Sequence, residues 1–145
     1  MLKMKVLFVC IHNSARSQMA EALLKKIAGD KFDAESAGLE PGVLNPLAIS
    51  AMKDIGVDIS QNKTKSVFDF FKQGKKYHYV ITVCEESKAQ KCPVFPGIKS
   101  QLHWNFEDPS GFTGTYAEKL EKTRKVRDNI NNKIKEWVRS LEEKS

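Results

Sequence analysis

The chain has 145 residues, of which 41% are hydrophobic and 29% charged, and its formal net charge at pH 7 is +6. This length and composition predict one folded domain over residues 1–145 and exclude a largely disordered chain. The positive charge suits anionic substrates or acidic partner proteins, but the basic residues near the carboxyl terminus alternate with acidic ones, as on a solvated helix face, and no motif for nucleic-acid recognition accompanies them.

The first apolar run comprises residues 6–9, Val-Leu-Phe-Val. It is too short for the core of a signal peptide or for a membrane span, so we expect a cytoplasmic protein that has no membrane segment. In a reducing compartment, three cysteines are catalytic, metal-binding or inert rather than a disulfide framework. The run itself is short and β-rich, which predicts a buried parallel strand.

A helix is predicted next, because apolar residues recur three or four positions apart from Ser14 to Ala28 and Gly29 follows as a C-terminal cap. Residues 34–37 are a candidate second strand, which Gly38 closes. A second helix is predicted from Asn45 as N-cap with Pro46 at its first position, and Gly56 marks its end.

Residues 67–71 are too few to classify, and residues 79–83 predict another buried strand, which Cys84 follows. Helical spacing then continues from Leu120 to Leu141. Strands that alternate with helices predict an open, mostly parallel α/β sheet, in which ligands bind beyond the carboxyl ends of the strands. Cys10 and Cys84 both occupy such ends, so they can meet in space.

The loop from Cys10 to Ser17 carries the clearest chemistry. Its backbone N–H groups can form a nest, and the following helix adds partial positive charge at its amino terminus. Arg16 supplies a planar fork that matches two oxygens of a tetrahedral anion, and Ser17 can donate a hydrogen bond to the sulfur. These features favour the thiolate form of Cys10. The alternative is a small buried cysteine at a strand end, because a bare Cys-x5-Arg pattern occurs often by chance.

Two further features are ambiguous by themselves. Asp108 precedes a proline, which holds it extended in a loop where its carboxyl group could act as a general acid; an Asp-Pro pair is more often only a turn. Cys84 and Cys92 flank a polar segment and could resolve a Cys10 adduct by thiol–disulfide exchange. The rival interpretations are two unrelated core cysteines or half of a zinc site, which usually has closer cysteine spacing.

Taken together, these motifs resemble the arsenate reductases built on the low-molecular-weight protein tyrosine phosphatase fold. The resemblance covers nearly the whole chain and rests on residues 9–21, 36–38, 45–46, 81–84, 92–97, 103–104, 106–109 and 124–128. It implies a three-layer α/β/α sandwich around a central, mostly parallel four-stranded sheet.

The resemblance also implies a mechanism. Cys10 attacks arsenate, Arg16 binds its oxygens, and Asp108 assists the departure of hydroxide. Cys84 then attacks Cys10 and releases arsenite, and Cys92 moves the disulfide to the surface, where reduced thioredoxin removes it. The implied oxyanion-binding residues are Ile11, His12, Asn13, Ser14, Ala15 and Arg16. Phosphate or sulfate would mimic the substrate, and neither a flavin, a nicotinamide nor a metal is required.

Phosphatases of this fold typically carry tyrosines after the Asp-Pro pair, where this chain has Ser110, Gly111 and Phe112. A phosphatase would also leave Cys84 and Cys92 without a role. A phosphatase and a non-catalytic oxyanion-binding regulatory module nevertheless remain the alternatives, and glutaredoxin with glutathione is the alternative thiol donor.

Some relatives bind potassium beside the loop, through residues that match Asn13, Glu21 and Ser36. A further acidic partner, expected at residues 64–66, is not evident. Asn13 is alternatively expected to hold the shape of the loop through its side chain. The polar segment at residues 85–91 is expected to be mobile, and the protein to be a monomer.

Overall fold

The computed structural model describes residues 2–144 and contains one four-stranded sheet with the strand order β2-β1-β3-β4, all parallel. The strands are β1 (Met4–Cys10), β2 (Phe32–Gly38), β3 (Tyr79–Thr82) and β4 (Ser100–His103). The helices are α1 (Arg16–Ala28), α2 (Pro46–Lys53), α3 (Val67–Lys72), α4 (Glu86–Ala89) and α5 (Tyr116–Glu143), and a 3-10 turn spans Pro109–Gly111. The predicted three-layer α/β/α architecture is confirmed.

Alternation along the central strand β1 divides the core between the two faces of the sheet. Val6, Phe8 and Cys10 point into a large cluster that includes residues of α1, α2 and α5. Leu7 and Val9 point into a smaller cluster on the other face, with α3. Because successive side chains of a strand face opposite ways, this alternation places Cys10 on the α1 face.

Most predicted elements are present, with shifted ends. The first helix begins at Arg16 rather than Ser14, because Ser14 and Ala15 still belong to the loop. Asn45 caps α2 as predicted, its side-chain oxygen accepting from the Leu47 N–H at 2.9 Å. That helix ends at Lys53, and Gly56 lies beyond it in a turn with φ of +80°.

The terminal helix α5 is longer than predicted. It begins at Tyr116 because Thr115 and Glu118 form a capping box, each side chain bonding to the other's backbone N–H. Ile130 and Ile134 on this helix are fully buried in the large cluster that also contains residues of α1 and α2. Within residues 2–144, no helix combines the length and hydropathy needed to cross a bilayer.

Candidate active site

Cys10 ends the central strand and is 2% exposed. Its Sγ lies 2.8 Å from Ser17 Oγ and accepts from the Asn13 backbone N–H at 3.2 Å. The Asn13 N–H thus points at the sulfur, and the Ser17 hydroxyl is placed to donate to a thiolate.

The loop after Cys10 is held from outside by the segment that follows β2. The loop carbonyls of residues 10, 11, 12 and 14 accept hydrogen bonds from the backbone N–H groups of residues 39, 40, 42 and 45, at 2.7–3.1 Å. Since these carbonyls point outward, the loop amides are left to face its centre. A nest of amides at the start of a helix binds tetrahedral anions.

Asn13 is the non-glycine residue with positive φ, 54°, among the described residues, and its side chain is fully buried. Its amide group donates to Ser17 Oγ at 2.7 Å. Its Oδ1 accepts from Gln18 Nε2 at 3.1 Å and from the Lys65 N–H at 3.0 Å. These bonds fix a backbone conformation that asparagine tolerates better than most residues.

The remaining loop residues surround this centre. His12 is exposed, and its Nδ1 lies 2.8 Å from the Glu40 carbonyl oxygen. Ile11 is partly buried against the core, Ser14 is half-buried, and Ala15 is buried directly before α1. No side-chain chemistry beyond their backbone amides is evident for Ile11 and Ala15.

Arg16 and Asp108 meet although 92 positions separate them in the sequence. The Arg16 side chain is 2% exposed, and its Nη2 lies 3.3 Å from Asp108 Oδ2. Asp108 is fixed by its second oxygen, which accepts from the Ser110 N–H at 3.0 Å. Arg16 Nη1 donates to the Phe106 carbonyl oxygen at 3.1 Å and to Glu85 Oε1 at 3.1 Å. The carboxyl group of Asp108, the predicted general acid, thus lies beside the arginine of the loop.

The two downstream thiols lie on different faces of the sheet. Cys84 is completely buried in the cluster that contains Cys10, whereas Cys92 is 7% exposed in the cluster on the α3 side. Burial raises the pKa of Cys84 to about 11, an increase to which Cys10 contributes and which Arg16 opposes. Burial, with a smaller contribution from Cys84, raises the pKa of Cys92 to about 12. All three cysteines are free thiols.

The residues matched to a potassium site do not fit that ion. Ser36 Oγ donates to Glu21 Oε1 at 2.6 Å, and the Lys25 ammonium lies 2.7 Å from Glu21 Oε2. The Lys65 ammonium is a further cation, 3.9 Å from Glu21 Oε1, and Asn13 Oδ1 already accepts two hydrogen bonds. Glu21 is therefore already paired with two lysine ammonium groups. Among residues 2–144, no group of three or more His, Cys, Asp or Glu side chains could hold a metal ion.

Glu85 and Lys65 contact the site and were not predicted to do so. Glu85 directly follows Cys84 at the carboxyl edge of the sheet, and this position was the available signal. Lys65 lies within residues 64–66, where the resemblance expects an acidic partner and the sequence has a lysine, but its contacts to Asn13 and Glu21 join positions distant in sequence and were not predicted.

Comparison with known proteins gives a consistent match. The family model described as low molecular weight phosphotyrosine protein phosphatase matches residues 5–145. An arsenate reductase of Halalkalibacterium halodurans is 42% identical over 138 residues, which cover 95% of this chain and 97% of that protein. A solved arsenate reductase in the phosphate binding state is 30% identical, with a TM-score of 0.76 and coverage of 94% and 98%.

A thioredoxin-dependent arsenate reductase of Corynebacterium glutamicum is also similar in structure, with a TM-score of 0.75 and 30% identity. The match covers 99% of this chain and 64% of that longer chain.

Proposed function

This chain belongs to the low molecular weight phosphotyrosine protein phosphatase family, and we propose that it is an arsenate reductase that uses three cysteines and a thiol donor. The observation that carries the proposal is the pairing of Cys10 and Cys84 in one buried cluster beside Arg16. An oxyanion receptor and a second thiol at the same edge of the sheet suit reduction, whereas hydrolysis needs only the first thiol.

The first step is substitution at arsenic. The Cys10 thiolate attacks As(V), a Cys10–S–As bond forms, and an As–O bond breaks. Asp108 donates a proton so that hydroxide leaves as water. Arg16 and the loop amides of residues 11–16 bind the arsenate oxygens, and Ser17 stabilises the Cys10 thiolate through its contact at 2.8 Å.

The second step transfers two electrons. Cys84 attacks Cys10 Sγ and forms a disulfide, and the electron pair of the S–As bond stays on arsenic, which leaves as arsenite, As(III). Cys92 then attacks Cys84 Sγ and releases Cys10 as a thiolate. A reduced dithiol donor then reduces the Cys84–Cys92 disulfide and is itself oxidised to a disulfide. We propose thioredoxin as this donor because a structurally similar protein is thioredoxin-dependent.

The deciding experiment follows NADPH consumption with arsenate, thioredoxin and thioredoxin reductase, with glutaredoxin and glutathione in a parallel arm. We expect turnover in the thioredoxin arm. Turnover in the glutaredoxin arm alone would reassign the donor, and the absence of turnover in both arms would refute the reductase.

Single-turnover release of arsenite without a donor tests the roles of the thiols. The wild-type protein and a Cys92→Ser variant should each release about one arsenite per chain, because Cys84 alone resolves the adduct. A Cys84→Ser variant should release none. Equal release from all three proteins would contradict the relay.

Phosphatase activity is the second candidate, and the contact between Asp108 and Arg16 at 3.3 Å favours it. Cys10, Arg16 and Asp108 suffice for the hydrolysis of a phosphate ester, so the Cys84→Ser variant should retain any turnover of p-nitrophenyl phosphate. If the wild type hydrolyses this ester and never reduces arsenate, phosphatase is the function. Turnover of either substrate excludes a non-catalytic oxyanion-binding module.

The potassium ion has no part in this proposal, because Lys25 and Lys65 already balance Glu21. We also propose that the protein works as a cytoplasmic monomer. Three buried reduced thiols suit a reducing compartment, and light scattering of the purified protein measures its mass against the 16.4 kDa of one chain.

A further inference from the structure

The side chain of Glu85 forms an ion pair with Arg16, the residue that is proposed to bind the oxyanion. Glu85 Oε1 accepts from Arg16 Nη1 at 3.1 Å, while Asp108 Oδ2 lies 3.3 Å from Nη2. One buried guanidinium thus faces two carboxyl groups at once. An arriving oxyanion adds further negative charge beside them, so it competes with a carboxylate for Arg16.

The two carboxylates differ in how easily they can leave. The Glu85 side chain is 47% exposed, so it can return to water at little cost, and it makes no second hydrogen bond among the described residues. The Asp108 side chain is 27% exposed and is also held by the Ser110 N–H. Displacement by an oxyanion therefore falls on Glu85.

Glu85 is also an anchor of the segment that carries the relay thiols. It directly follows Cys84 and immediately precedes the short helix Glu86–Ala89, to which its side chain gives no capping bond. Between the two thiols, Ala89 is buried and the other side chains are exposed. The ion pair with Arg16 and the burial of Ala89 thus account for most of the attachment of this segment.

We propose that Glu85 is a positioning residue that occupies Arg16 in the resting enzyme and is displaced by the incoming oxyanion, which releases the segment between Cys84 and Cys92. This inference rests on the proposed function and deepens it. The arrival of the oxyanion is thereby coupled to the freedom of Cys84 to reach Cys10. The segment stays attached to Arg16 until an oxyanion displaces Glu85.

Binding of inorganic phosphate to the full reduced protein, measured by calorimetry, tests the competition. The variants are Glu85→Gln and Glu85→Ala, and the matched control is Glu86→Gln, which removes the same charge one residue away from a side chain without an ion pair among residues 2–144. Because Glu85 is half exposed, its removal should tighten phosphate binding by about two- to fivefold. The control should bind phosphate as the wild type does.

Hydrogen exchange tests the release. In the wild type and in Glu86→Gln, phosphate should accelerate exchange of the amides of residues 86–91. In Glu85→Gln and Glu85→Ala these amides should already exchange fast, and phosphate should change them little. The apparent KM for arsenate should fall in both Glu85 variants by the same factor as the phosphate dissociation constant.

The outcomes separate this inference from the proposed function. If both Glu85 variants bind phosphate like Glu86→Gln, or if phosphate leaves exchange of the wild-type segment unchanged, the inference is wrong while arsenate reduction stands. If the wild type neither binds phosphate nor reduces arsenate, the proposed function fails and the inference fails with it.

Discussion

The packing of Gly38 against the catalytic loop predicts that Gly38→Ala disables the site. A Cβ at Gly38 would lie 2.8 Å from the Asn13 nitrogen and 2.8 Å from the Ile11 oxygen, whereas ordinary contacts begin at 3.4 Å. The loop would have to retreat by the difference, 3.4 − 2.8, or about 0.6 Å. Because both neighbours are backbone atoms, no side-chain rotation relieves the clash.

The size of the effect follows from that displacement. Overpacking of this kind costs about 1–3 kcal/mol of stability, or roughly 3–10 °C in the melting temperature of a domain of this size. A site whose groups must be held within about 0.5 Å loses function after such a shift, so kcat/KM for arsenate should fall by about ten- to a hundredfold. Phosphate affinity should fall with it.

Gly111→Ala is the matched control, because a Cβ at Gly111 meets no atom within 4 Å. Thermal unfolding, phosphate calorimetry and the arsenate assay are compared for both variants. If Gly38→Ala binds phosphate and turns over like Gly111→Ala, the loop does not depend on this close approach and the reasoning fails.

Three further predictions follow from the buried groups. The pKa of Cys84 is raised to about 11 and that of Cys92 to about 12 by burial, so the folded protein keeps these protons while the unfolded chain loses them. Their contribution to stability should therefore be complete below pH 9 and fall as the pH rises from about 9 to about 12. Urea unfolding at pH 8 and at pH 10.5 measures this, and equal stability at both would contradict it. Replacing sodium by potassium in the buffer should leave the rate of arsenate reduction unchanged, because the Lys65 ammonium already lies 3.9 Å from Glu21. A higher rate in potassium would show that the ion binds there after all. Ile134→Ala should cost about 2–5 kcal/mol in the free energy of unfolding, since its side chain is fully buried, and a loss below 1 kcal/mol would show that the core closes over the gap.

The elements that were predicted correctly have strong local signals. Strand β1 is a continuous β-rich run, and α2 has both an asparagine cap and a proline at its first position. The strand Ser100–His103 was not predicted individually, because it is a four-residue edge strand whose side chains are only half-buried or exposed. Its pairing with β3, rather than its own residues, makes it a strand.

The same distinction holds within the candidate site. The loop from Cys10 to Ser17 is predictable because its nucleophile, its arginine and its helix start are contiguous. The contact of Arg16 with Glu85 joins residues 69 positions apart, and no sequence spacing encodes which carboxylate an arginine meets. Asp108 was identified through the resemblance and its proline, and its contact with Arg16 is also long-range.

The environment of Cys84 imposes an order on the proposed relay. Its pKa of about 11 comes first from burial, which Arg16 opposes, with smaller increases from Cys10 and from Glu85. At neutral pH it is therefore a thiol, and Cys10, which Ser17 and an amide N–H contact, reacts first. Burial is the largest cause of this raised pKa, and opening of the segment, which we propose follows the departure of Glu85, relieves it. The event that fills the loop with an oxyanion is then the event that prepares the second sulfur, so arsenic is bound before the resolving thiolate forms.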